Sequence, residues 1–60
     1  MNKIYADHAS ALLVAYLESK ATGQAVYRHE IQTKYGDRRW LVSLISDPVM
    51  AEIAYIQSKE

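Results

Sequence analysis

Apolar residues recur with a helical spacing early in the chain. Ala9, Leu12, Leu13, Tyr16 and Leu17 fall on one face of a helix. Asp7 precedes them as a suitable N-cap and Gly23 follows as a left-handed stop, which predicts a helix over about residues 7–21. In the next stretch, after the β-tolerant Ala25–Tyr27, Tyr27, Ile31 and Tyr35 succeed one another at steps of four, predicting a two-turn helix that ends at Gly36. Asp37 then reads as the N-cap of a third helix, "DRRWLVSLIS", which stops before "DP". Pro48 suits the first turn of a fourth helix, where Val49, Ile53 and Ile56 share a face with Met50, Ala54 and Tyr55 beside it. The expected fold class is therefore all-α: a single domain over residues 1–60, folded as a compact bundle of about four short helices.

Composition sharpens this picture. The chain has 60 residues and no cysteine, so no disulfide or thiolate metal site can support it. A chain of this size leaves much of its surface exposed, and half of its residues are hydrophobic, which makes a homodimer or a protein complex a natural expectation. No apolar run approaches the roughly 20 residues of a membrane span. With no cleavage-site pattern at the N-terminus, a cytoplasmic protein with no membrane association is expected.

The seven basic and seven acidic side chains cancel, which removes any global attraction to nucleic acid. The charge is unevenly spread, however. Between Arg28 and Arg39, four basic residues (Arg28, Lys34, Arg38, Arg39) stand against Glu30 and Asp37, while the flanks are mildly acidic.

Catalytic chemistry finds little support. "HEIQT" begins like a zinc-peptidase helix, but the second histidine of that motif would fall at Thr33. The two glycines stand where helices should stop, and the serines lack a nucleophile-elbow setting. No enzyme activity, metal, cofactor or small-molecule substrate is expected. Tyr16, Tyr27 and Tyr35 are read as packing residues rather than as a platform for bases.

The order of residues from Arg28 to Ser46 resembles the helix-turn-helix of small phage and bacterial regulators. In that resemblance Gly36 is the turn glycine, Ile31 and Tyr35 belong to the first helix, and Val42 and Ile45 face inward from the recognition helix. Gln32 stands where the family has a small residue, and Asp37 where it has an aliphatic one. The resemblance implies a homodimeric transcriptional regulator, of phage, plasmid or bacterial origin, bound to double-stranded DNA. Arg38, Arg39 and Ser43 would enter the major groove, and Arg28 and Lys34 would hold phosphates.

The competing expectation places the same third helix among others, because it is apolar around most of its circumference. The protein would then be a small helical inhibitor or adaptor that binds another protein, for example to block a host or defence nucleic-acid enzyme. Its anchors would be Tyr5, Tyr27, Arg39, Trp40 and Tyr55. The surroundings of Arg39, Trp40 and Ser43 discriminate between the two: an exposed Arg39/Ser43 stripe favours DNA, and burial of the segment favours protein.

Overall fold

A computed structural model describes residues 2–58 and shows an α+β fold, with β1 (Asn2–Tyr5), α1 (His8–Thr22), β2 (Tyr27–Gln32), β3 (Arg38–Ser43) and α2 (Pro48–Ser58) in chain order. The expected all-α bundle of four helices is thus corrected: its second and third helices are the two strands of a β-hairpin. The helix-turn-helix geometry, which needs helices over the same segment, is not formed there.

A coincidence of periods explains the difference. A step of four residues returns to nearly the same face of a helix, but it also returns to the same face of a strand, whose period is two. Tyr27 and Ile31 therefore satisfy both patterns, as do Arg39 and Ser43. Residue type admits the strand, because Tyr, Val, Ile and Trp fit a pleated, half-buried surface, and the pairing of the two segments decides for it. Gly36 has φ of 85° and serves a hairpin turn rather than a helix stop. The Thr33 carbonyl accepts from the Gly36 N–H at 2.9 Å, and the Thr33 hydroxyl accepts from the N–H groups of Tyr35 and Asp37. Asp37 thus closes the turn, with its carbonyl accepting from the Thr33 N–H, and caps no helix.

The sheet order is β1-β3-β2, with both outer strands antiparallel to β3. Strands β1 and β2 are consequently parallel to each other, joined by α1 and split by β3, a split β-α-β arrangement. Register places Tyr5 opposite Trp40 and Ile4 opposite Leu41 on one side, and Glu30 opposite Trp40 and His29 opposite Leu41 on the other. Since opposed residues share a face, Tyr5, Trp40, Val42, Arg28 and Glu30 point one way, and Ile4, Leu41, Ser43, His29 and Ile31 the other.

Helix α1 covers the first face, where Ala11, Ala15 and Val42 form a buried cluster edged by Tyr5, Val26 and Trp40. Helix α2 covers the second, burying Ala51. Among the described residues the two helices do not touch each other, so the sheet is the middle layer of three.

Helix α1 begins and ends, and α2 begins, as the local sequence directs. The Ser10 N–H and hydroxyl donate to the Asp7 carboxylate at 3.0 and 2.9 Å, and these two bonds hold its pKa below the ordinary carboxylate value. Gly23, with φ of 74°, donates its N–H to the Ser19 carbonyl and stops α1. Asp47 accepts the first bond of α2 from the Ala51 N–H. No helix among the described residues is long and apolar enough to cross a membrane.

Candidate functional site

Each helix lays its small side chains on the sheet and turns its large apolar ones outward. On α1, Ala11 and Ala15 are buried, while Leu12, Leu13, Tyr16 and Leu17 are each about half exposed, Leu13 at 58%. On α2, Ala51 is buried while Val49, Met50, Ile53 and Ile56 stand open. The apolar stripes expected along both helices exist, but they face away from the core. Tyr16 and Tyr35, expected to pack inward, are exposed, Tyr35 most of all at 79%.

The reason is steric. A three-stranded sheet offers a narrow bed, and alanine lets a helix backbone lie close to it over Val42 and Trp40. Leucines in the same positions would lift the helix away. The outer α1 face forms a shallow apolar depression lined by Ala9, Leu12, Leu13 and Tyr16. Lys20 lies over the Tyr16 ring, 5.6 Å from its centroid, at the C-terminal end of this face.

The residues expected to contact DNA are scattered by the strand geometry. Arg38 and Arg39 are neighbours in β3 and therefore point to opposite faces of the sheet. Ser43 shares the Arg39 face, but it is fully buried and its hydroxyl accepts from the Ile45 N–H at 3.1 Å. Arg28 lies on the α1 face, where its Nη1 donates to His8 Nε2 at 3.0 Å. Lys34 sits in the hairpin turn, 5.2 Å above the Tyr35 ring. Arg39 is folded back, with Nη1 donating to the Arg38 carbonyl at 2.6 Å and Nη2 lying 4.0 Å from the Asp37 carboxylate.

The expected protein-contact residues also divide between the two faces. Tyr5 and Trp40 are cross-strand partners beside α1, both half-buried. Arg39 and Tyr55 both line a cleft of about 600 Å³ on the α2 side of the sheet, beside the hairpin turn. Its lining includes the sheet residues Ile4 and Ile31, the half-exposed Ile56 at the edge of α2, and Lys34, Asp37, Arg39 and Glu52, whose charges cancel. Tyr27 stands on the same face as Arg39, its ring stacked at 6.5 Å on that of His29.

Trp40 is half-buried under α1, with the His8 ring tilted across it at 4.4 Å. The same His8 ring lies beside the Arg28 guanidinium, so Trp40 is covered by an imidazole held in place by a residue of β2. His29 is buried on the other face, where its Nε2–H donates to the Ile45 carbonyl at 2.8 Å and ties the β3–α2 connection to β2. Neither histidine role was legible in the sequence, because each depends on a contact between distant segments. Among the described residues, no group of three or more acidic or histidine side chains stands close enough to hold a metal.

No protein-family model, curated protein or solved structure matches this chain.

Proposed function

We propose that this protein works by binding protein through the outer face of α1, as a small interaction module without catalytic activity. The observation that carries this reading is the inversion of α1: Leu12, Leu13, Tyr16 and Leu17 face out, while alanines face the sheet. Together these four side chains expose on the order of 400 Å² of contiguous, largely apolar surface, within the roughly 300–600 Å² of the largest patch on a typical monomer, a patch that is often functional. Two facts about β3 support the same reading: its alternation leaves Arg38 and Arg39 on opposite sides of the sheet with no common surface to lay against a duplex, and Ser43 is buried.

The test has two arms. Tagged chain is recovered from nuclease-treated lysate and its stoichiometric protein content, a further copy of itself included, is measured by mass. Labelled duplex DNA is offered in parallel at low salt. The expected result is a protein partner that disappears when Leu13→Glu and Leu17→Glu are combined, with no duplex retained. Duplex retention that falls steeply with salt and is lost with Arg28→Ala and Arg38→Ala, with no protein partner, would overturn the proposal.

A further inference from the structure

We infer that the free edge of β2 is the seam of a homodimer, in which β2 pairs antiparallel with β2 of a second copy and the two sheets become one. The Thr33 N–H donates to the Asp37 carbonyl, so in the register that joins β2 to β3 the residues Tyr27, His29 and Ile31 turn their backbone groups toward β3. Arg28, Glu30 and Gln32 turn theirs outward. There β2 is the last strand of the sheet, and no other described segment meets these groups with a hydrogen bond. Neither a proline nor a bulge, either of which would guard an edge, interrupts the row. The opposite edge is a poorer one, since β1 has four residues, offers only Asn2 and Ile4, and carries Lys3.

The side chains of β2 select a second copy of themselves as the added strand. Pairing about a two-fold axis at His29 sets Arg28 against Glu30 of the second copy and Glu30 against its Arg28, and each such pair exchanges both backbone hydrogen bonds. Glu30 is exposed and forms no ion pair among the described residues, while Arg28 reaches only His8. On the other face the same register sets Tyr27 against Ile31 of the second copy, an aromatic side chain against a β-branched one, and Ile31 against its Tyr27. Tyr27 is exposed and Ile31 half-buried in the single chain, so both have surface left to cover. Sliding the strands by two residues, the least shift that keeps outward groups facing one another, brings Arg28 onto Arg28 or Glu30 onto Glu30. Charge therefore fixes one register, and that register also joins the apolar pairs.

A two-fold axis through this seam stands normal to the sheet and keeps each face on its own side. Both α1 helices then lie on one side of a continuous sheet, with Leu12, Leu13, Tyr16 and Leu17 uncovered on each. The α1 surface stays open to the partner proposed above and is presented twice. The seam is narrow, so the dimer dissociates on dilution.

Amide hydrogen exchange of the unmodified chain, followed from micromolar to millimolar concentration beside sedimentation equilibrium, reads the seam directly. The amides of Arg28 and Glu30 should gain protection as the mass doubles, while that of His29, already bonded to β3, changes little. Arg28→Glu and Glu30→Arg should each weaken self-association at least ~10-fold, because each sets like charges opposite one another. Mixed together, the two variants should form a one-to-one dimer, since every cross-strand pair is then acidic against basic. A chain that stays monomeric at millimolar concentration, a dimer in which those amides still exchange freely, or folded variants that fail to combine overturns the inference. In the lysate experiment a second copy held through β2 is lost with Arg28→Glu, whereas a different protein held through α1 is lost with Leu13→Glu and Leu17→Glu. Either reading can thus fail without the other.

Discussion

Leu41 and Leu13 are the same residue in the same small protein, and they meet opposite fates. Leu41 lies in the central strand, fully buried, with Ile4 on one side and His29 on the other. Leu13 lies in the longer helix and is more exposed than buried. The difference is one of layer rather than of hydrophobicity. The middle strand has neighbours on both edges and a helix on each face, and these enclose Leu41, Val42 and Ser43. An outer helix encloses only the side that touches the sheet, and here alanines occupy that side. Buried apolar area in β3 therefore holds the monomer together, and exposed apolar area in α1 remains available for association.

The comparison can be broken most forcefully at Leu41. Leu41→Ala removes a fully enclosed side chain from the strand that joins both others, with an expected cost of about 2–5 kcal/mol. For a chain of this size that is enough to leave much of the population unfolded at room temperature, measured by urea titration of the circular-dichroism signal. A smaller effect of the opposite kind is expected at Ala11. Ala11→Leu adds volume where α1 rests on the sheet and should cost about 1–3 kcal/mol through overpacking, while shifting the emission of Trp40 as α1 is displaced. If Ala11→Leu were neutral, the close seating of α1 would not be what turns its leucines outward.

The smallest effect is expected at the helix end. Asp7→Ala removes the N-cap acceptor and lowers the melting temperature at neutral pH. The folded carboxyl has a pKa below its unfolded value of 3.8, so its contribution is present in full above that value and is lost as pH falls through the folded pKa. The gap between wild type and variant should therefore be widest near neutrality and close in acid. A gap that stayed constant with pH would mean that Asp7 acts through its shape alone.

Local signals and long-range ones divide what could be read from the sequence. The extent of α1, its Asp7 cap and its Gly23 stop were legible because each rests on residues within a few positions. The start of α2 at Pro48 was legible for the same reason. The hairpin was not, since the spacing of Tyr27, Ile31 and Tyr35 satisfies a helix and a strand alike, and only the pairing of Arg28 with Val42 or Glu30 with Trp40 decides between them. β1 was invisible for a related reason, because Asn2–Tyr5 is a strand only by virtue of the edge that β3 provides. The apolar stripe that forms the candidate site was visible from the start, with Leu12, Leu13, Tyr16 and Leu17 in place. Which way it points depends on the sheet, and the sheet is assembled from segments far apart in the chain.

The strand order has a consequence for how the chain is made. β2 and β3 can pair as soon as the turn at Gly36 forms, but β1, which is synthesised before them, has no edge to join until β3 exists. Until Leu41 arrives, Ile4 and Tyr5 wait unpaired, and α1 has little sheet on which to rest its alanines. During that interval the leucines of α1 are exposed on a chain that is not yet folded. Rapid production of this protein thus carries its greatest risk of aggregation before the central strand is complete, and a permuted chain that begins at β2 would shorten the wait for the hairpin.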